Sequence, residues 1–354
     1  MTTGLQSSER ATPPAAGTPT RSAARRALPT LAVVVVLVIL ILAPISLLST
    51  SVKAPYYLHI AVITLIYGSV AAGLNAPIRT GYWPVGQAAF MATGGYTSAI
   101  LTTRLGWPLL TGVVAGAVVA GVVAMVFGRI TLRLNGTYFV LATFAFGEVV
   151  RLTIVNQTSL LGGAGGIAGL PTLNLLPGFL GFTPTATSVL SYYYVALFLL
   201  SVTVLVLVLV YRSTVGQTFN AMRLNPKLTQ AQGVNTVRYR IFAFTLSGIV
   251  AGAAGALLVH YLHLASPTMF TYVVSVDVLM MNIVGGTNGL LGPLLGAVLI
   301  APLPEVLRGA GASYAQLVYG VLIIAVMLLW PGGLLSLVQR LRTTASRAMG
   351  RGRP

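Results

Sequence analysis

Cysteine is absent from the 354-residue chain. That excludes disulfides, thiolate nucleophiles and Cys-ligated metals. Acidic residues are almost absent too: 4 Asp plus Glu stand against 21 Lys plus Arg, for a net charge of +17. Charged residues of all kinds make up 7% of the chain, against about 25% in a typical soluble domain. A soluble globular protein of this length would lack the charge to clothe its surface. What is plentiful is apolar: 56% of the residues are hydrophobic, which excludes intrinsic disorder. The basic excess does not read as nucleic-acid binding, because it lies in short tracts between long apolar runs. That is the pattern of an integral membrane protein with basic cytoplasmic loops.

The apolar segments fall at about 31–48, 56–75, 84–103, 107–128, 137–155, 189–211, 239–263, 271–286, 290–307 and 313–330. The uncharged run Leu31–Leu48 is too long for a usual signal-peptide core and reads as a retained first span. The run at 271–286 is short and ends in Gly285-Gly286, as a broken or partial span would. The expected fold is an all-α, polytopic helical bundle of about ten transmembrane helices. Its membrane domain covers 29–335, between a disordered basic tail at 1–28 and a basic tail at 336–354. With the N-terminus inside, all of the 21 Lys and Arg except Lys53, Arg104, Arg151 and Arg308 fall on the inner side. Dropping one span would invert every later loop and spoil this, so both termini read as cytoplasmic. Small-residue pairs at Gly112/Gly116, Gly248/Gly252 and Gly292/Gly296 each place two glycines on one helix face for close packing.

Catalytic chemistry is missing. The two lysines, Lys53 after Val52 and Lys227 after Pro226, cannot complete a Gly-Lys-Ser/Thr phosphate loop. His260 and His263 share a helix face but have no evident third metal ligand, and read as interfacial histidines near the outer surface. No spacing of Asp, His and Ser points to a triad. The polar residues in unusual places are acids. Glu148, Asp277 and Glu305 lie in or beside apolar segments, where ionisable groups mark a pathway, a pair or a bundle interior. Glu148 and Arg151 are three apart and can pair, as can Glu305 and Arg308.

The segment from Arg212 to Arg238 is too polar to span the membrane. Val215, Phe219 and Met222 make one apolar face of a short helix. Asn225-Pro226 breaks that helix and starts a second through about Gln232, where Gly233 stops it. Two short helices lying along the membrane suit either docking of a soluble partner or anchoring to lipid headgroups.

Four stretches, in order and spacing, resemble the permease subunits of branched-chain amino acid ABC importers of the LivM type. They are Gly73–Leu101, Leu132–Leu152 with Leu160–Pro171, the Arg212–Asn235 loop leading into Tyr239–Leu257, and Gly285–Arg308. The resemblance runs from about residue 60 to 335. It implies a transporter subunit in a bacterial inner membrane, not an enzyme. The implied partners are a second related permease, two ATP-binding subunits that hold ATP and Mg, and an extracytoplasmic substrate-binding protein. No cofactor and no metal belong to this chain itself. The resemblance further implies that the 212–238 segment is the coupling element, with Gly216, Phe219, Arg223, Asn225, Pro226 and Gly233 its key residues. Candidates for the translocation path are Gln87, Tyr96, Glu148, Asp277 and Asn288, and the loops at 156–188 and 264–270 would meet the binding protein. The chain departs from the family pattern at Trp83-Pro84-Val85, at Gln87 where His is common, and at Asn225-Pro226-Lys227, which lacks acids. Urea or short amides are alternative substrates within the family. An ion-coupled carrier using Glu148 and Asp277 is the alternative outside it.

Overall fold

The computed structural model describes residues 54–134, 136–171, 173–174, 185–186, 189–287 and 289–306, with isolated helical positions between 317 and 334. The expected first span, the two basic tails and Arg308 lie outside the described residues. Of the expected last span, Leu317, Val321, Ile324 and Leu328 are helical and exposed.

Five described helices are long and apolar enough to cross a membrane. These are α1 (Ala54–Arg79), α3 (Leu109–Thr131), α4 (Thr137–Asn156), α6 (Val189–Arg212) and α9 (Thr236–Leu262). Between them lie α2 (Gln87–Arg104) and the short α5 (Thr158–Leu161), α7 (Thr214–Leu224) and α8 (Pro226–Ala231). The chain continues into α10 (Tyr272–Gly285), α11 (Leu291–Ile300) and the short α12 (Leu303–Val306). Four two-residue strands form two antiparallel pairs: β1 (Ile167–Ala168) with β4 (Leu264–Ala265), and β2 (Leu173–Asn174) with β3 (Thr185–Ala186).

Helix α9 is the centre of the bundle, packed on α1, α2 and α3. Its sequence explains this. From Ser247 to Gly255 it is mostly Gly, Ala and Ser, so neighbouring backbones come close. A Cβ on Gly94 of α2 would run into the Gly252 carbonyl, and one on Gly255 would run into that of Met91. The expected glycine pairs all sit at such contacts. Gly116 faces Gly94, Gly248 and Gly252 face Ala124 and Ala120, and Gly292 and Gly296 face Gly286 and Met281. Lipid tails are as apolar as leucine, so this shape fit, rather than hydrophobicity, decides which helices meet.

Two expected spans take a different form, and the run at 271–286 is short as expected. The segment read as starting at 84 begins its helix at Gln87, because Thr80–Gly81 closes a turn on the end of α1 and Tyr82–Gly86 is non-helical. Helix α10 has 14 residues, or about 21 Å at 1.5 Å per residue, short of a 30 Å hydrocarbon core. It folds back on α11 at a glycine contact, where a Cβ on Gly285 would meet the Gly292 carbonyl. The segment read as one span over 290–307 is instead α11 and α12, separated at Ala301-Pro302, where proline cannot donate to the helix ladder.

Candidate functional site

Arg79 and Arg212, in the last turns of α1 and α6, and Arg240, near the start of α9, lie toward one end of the bundle. Arg240 of α9 lies over the Tyr82 ring at 4.5 Å and donates to its hydroxyl at 3.1 Å, and Tyr82 in turn donates to the Leu134 carbonyl. Beside them, Arg79 of α1 stacks 3.9 Å over Tyr211 of α6. Arg79 and Tyr211 both donate to Asn75 Oδ1, at 3.0 and 3.1 Å. Asn75 Nδ2 reaches Asn282 Oδ1 and the Thr287 carbonyl on the α10 side, both at 3.3 Å. Asn75 and Asn282 are fully buried. The sequence reading missed both, because neither is ionisable and each sits inside an apolar run. A tally of uncharged amides within apolar segments would have found them.

At this basic end the two short helices form as the pattern demands. Ser213 accepts from the Val215 amide and caps α7. Asn225 ends α7 and caps α8, its Oδ1 accepting from the Leu228 amide at 3.0 Å. Pro226 takes the first helical position of α8, where its missing N–H costs nothing. Gly233 then turns the chain with φ +83°, and Asn235 caps α9. Phe219 and Met222 do not face outward. They are buried with Ala72, Ala76, Leu207 and Ala243, tying α7 to α1, α6 and α9. Gly216 permits this because a Cβ there would strike the Tyr211 backbone. The outward surface is Arg223, Leu224, Asn225, Pro226, Lys227 and Leu228. Leu224 is 87% exposed. Two exposed leucines flanked by Arg223 and Lys227 were not singled out from the sequence.

Between α1 and α2 the non-helical Tyr82–Gly86 segment and the start of α2 meet three hydroxyls. Thr143 of α4 accepts from the Val85 amide at 3.0 Å, and Ser275 of α10 accepts from the Ala88 amide at 2.9 Å. Gln87 Nε2 donates to Ser247 of α9 at 3.1 Å. Neighbouring helices therefore satisfy backbone amides at the buried start of α2, as non-helical backbone packed within a membrane bundle requires. Gln87 Oε1 is buried without a hydrogen-bond partner. Gln87 is enclosed by the bundle, with no open lining around it.

The opposite end is a platform. The β1–β4 pair stitches the long 156–188 loop to the connection after α9, with Ile167 opposite Ala265. Tyr96 is buried and donates to the Ala265 carbonyl at 3.0 Å, so it pins that connection. Arg104 donates to the Ser159 and Leu160 carbonyls at 2.9 and 2.8 Å. His260 is buried against Ser98, with Nε2 2.9 Å from its hydroxyl, and is not the interfacial group expected from sequence. Below the platform lies a cavity of about 230 Å³ between α1, α9, α10 and α12. Asp277 and Glu305 line it with His59, Tyr67 and apolar residues. His59 Nδ1 lies 2.6 Å from the Tyr261 hydroxyl.

Glu148 stands elsewhere, on α4. Its Oε2 accepts from Arg151 Nε at 2.8 Å, with 26% and 30% of the two side chains exposed. Phe144, one turn before Glu148 on the same face, meets Tyr272 of α10 with ring centroids 5.6 Å apart. The path candidates therefore occupy three places: Gln87 and Tyr96 inside the bundle, Asp277 in the cavity and Glu148 on the α4 flank. Asn288 lies outside the described residues. Among the described residues no His, Asp and Glu cluster could hold a metal ion.

Comparisons with known proteins agree with this architecture. Residues 56–327 match the family described as "Branched-chain amino acid transport system / permease component". The chain is 30% identical over 311 residues to the high-affinity branched-chain amino acid transport permease LivM of Salmonella typhimurium, covering 82% of this chain and 73% of that one. Identity to LivM of Escherichia coli is also 30%, over 79% of this chain and 70% of that one. A probable LivH permease of Methanocaldococcus jannaschii is 28% identical over 36% of this chain and 42% of its own. No solved structure matches. With the family model spanning the bundle from α1 onward, the chain belongs to the branched-chain amino acid transport permease family and is a multi-pass membrane subunit of an ABC importer, not an enzyme.

Proposed function

We propose that this chain pairs with a second, related permease to form the translocation path for branched-chain or related amino acids. Two ATP-binding subunits dock at its basic end and hold ATP and Mg; a substrate-binding protein docks on the opposite platform. The basic end is cytoplasmic, in a bacterial inner membrane, as the excess of Arg there favours. The observation that carries this reading is the α7–α8 element. It presents Leu224 and Leu228, flanked by Arg223 and Lys227, outward at the basic end. It is also fastened to the core by Phe219 and Met222. An exposed apolar pair with a charged rim is a docking tip, and a buried anchor lets a push at that tip move α1, α6 and α9 as a body.

Gly216 and Phe219 belong to the anchor in this reading, and Arg223, Asn225, Pro226 and Gly233 to the tip and its shape. The outer platform receives substrate, because β1–β4 makes one surface of two loops. The test is reconstitution of the four-part importer with Leu224→Ser and Leu228→Ser together. Expected are normal membrane insertion and loss of at least tenfold in binding-protein-stimulated ATPase. Unchanged stimulation would overturn the coupling assignment. Uptake of labelled leucine, valine and isoleucine by the wild-type importer, set against urea and short amides, checks the substrate class.

A further inference from the structure

Negative charge is scarce in this chain, and it converges on one cavity. Of the 4 acidic residues in the sequence, Asp277 and Glu305 both line the cavity below the platform. They come from different elements, Asp277 from α10 and Glu305 from α12. His59 and Tyr67 of α1 add two further hydrogen-bonding side chains, and the described lining holds no Lys or Arg. The rest is largely apolar, with Ile63, Leu258, Met281 and Ile300 among it. Ionisable groups within a membrane bundle face a cavity or a pathway. An apolar pocket with a few convergent polar groups is the usual form of a small-molecule site.

Three helices agree on the depth of this cavity. His59 follows the start of α1 by five positions, Asp277 follows the start of α10 by five, and Leu258 precedes the end of α9 by four. At 1.5 Å per residue each lies about 6–8 Å from the platform end of its helix. His59 Nδ1, 2.6 Å from the Tyr261 hydroxyl, ties the α1 side to α9. Leu262 and Pro304 of the lining are exposed, so the cavity reaches the surface of the subunit.

The lining selects its occupant. A cation meets two carboxylates there, and an anion meets like charge. A metal ion fits poorly, because among the described residues no three His, Asp or Glu come together. At about 230 Å³ the cavity is smaller than the roughly 300–1,000 Å³ of sites for drug-sized ligands, so the occupant is compact. An ammonium brings three donors, and its hydrogen bonds to carboxylates are of the strong, charge-assisted kind.

We infer that this cavity binds a primary ammonium carried on a small aliphatic body, and that in the importer this solute is the amino acid, held here after release at the platform. The ammonium meets the carboxylates of Asp277 and Glu305. The aliphatic side chain lies among Ile63, Leu258, Met281 and Ile300. The substrate carboxylate, repelled by both acids, stays toward Leu262 and Pro304, where water reaches it. Urea carries no charge and would gain nothing from the two acids. The amino acid as occupant rests on the reading above; the ammonium site does not.

The test uses the assembled importer, purified and without nucleotide. The probes are 3-methylbutylamine and 3-methylbutanoate, which share a branched body and differ in charge. Each is titrated against the thermal midpoint of wild type and of Asp277→Asn with Glu305→Gln, which removes both charges and keeps side-chain size. Expected is a midpoint raised by the amine and not by the carboxylate. The variant should need about tenfold more amine, or fail to respond, as loss of charge-assisted hydrogen bonds predicts. Its midpoint without probe reports on its fold. Should it not fold, Ile63→Phe, which narrows the cavity and keeps both acids, should weaken the amine response instead. No amine response in wild type, an equal response in the folded variants, or an equal response to the carboxylate would overturn the site. Leucine uptake is then read in the reconstituted importer, with a severalfold loss expected in the doubly neutral variant. Full uptake by a variant blind to the amine would overturn the place of the cavity on the path. A wild-type importer that takes up no amino acid would instead defeat the amino-acid reading, while the amine titration still decides the ammonium site.

Discussion

Helices α9 and α4 look alike as sequences and behave oppositely in the bundle. Their best windows have mean hydropathies of 2.0 and 1.7, yet 72% of the α9 window is buried against 17% for α4. Hydrophobicity does not sort them, because lipid and protein interior are equally good solvents for leucine. Side-chain size does. Helix α9 carries Gly248, Gly252 and Gly255 at the points where α2 and α3 cross it. Helix α4 turns Tyr138, Leu141 and Val149 outward and keeps its charged pair on a flank. The buried helix is a structural axis. The peripheral one keeps most of its surface outside the subunit's own packing.

The largest expected effect breaks the axis. Gly252→Leu would drive a side chain into Ala120 and the Gly116 carbonyl, a backbone contact that no rotamer relieves. No monodisperse complex should survive detergent extraction, and size-exclusion chromatography of the tagged subunit checks this. A normal elution profile would mean that α3 can move away from α9.

Next is Phe219→Ala at the proposed coupling anchor. Phe219 is fully buried among α1, α6 and α9, so the cavity should cost about 3–5 kcal/mol. A lowered thermal midpoint should accompany lost ATPase stimulation. The Leu224→Ser change alone, at an 87% exposed site, should leave the midpoint nearly unmoved, within about 0.5 kcal/mol, while stimulation still falls. Equal effects on stability would merge the anchor and the tip into one role.

Smaller again is Asn75→Leu. It removes one acceptor of Arg79, the acceptor of the Tyr211 hydroxyl and one partner of Asn282. Leaving buried polar groups unpaired costs about 1–3 kcal/mol each, less whatever nearby carbonyls recover. Thermal unfolding of the purified subunit measures it, and an unchanged midpoint would show the network to be dispensable.

Much of this was legible in the sequence. Apolar run length placed α1, α3, α4, α6 and α9 within a few residues, because a bilayer imposes its thickness on the chain. Asn225-Pro226 and Gly233 marked the two short helices, because capping and left-handed turns are local chemistry. The Glu148–Arg151 pair was readable because i, i+3 spacing fixes the contact within one helix. What failed was long-range. Nothing near Ser275 says that its hydroxyl caps α2, whose start lies 187 positions away along the chain. The pairing of Ile167 with Ala265 is equally non-local. The apolar face of α7 was visible, but whether it met lipid or the bundle was not, so Phe219 read as part of the coupling surface instead of its anchor. The 290–307 span was misjudged because apolar composition cannot distinguish one crossing helix from α11 and α12 separated at Pro302.

The smallest expected effect on stability sharpens the comparison most. Gly147→Leu is the α4 counterpart of Gly252→Leu: the same change, on a helix of similar hydropathy. At Gly147 no heavy atom lies within 4 Å of the added Cβ, and leucine is a better helix former than glycine by nearly 1 kcal/mol. The subunit should therefore extract and elute as wild type, with a midpoint unchanged or slightly raised. The new side chain would nevertheless project beside Glu148, a candidate for the translocation path, so leucine uptake by the reconstituted importer should drop severalfold while basal ATPase persists. Stability with reduced transport would tie this flank of α4 to the translocation path. Full transport with leucine at this position would return α4 to the role of a lipid-facing strut.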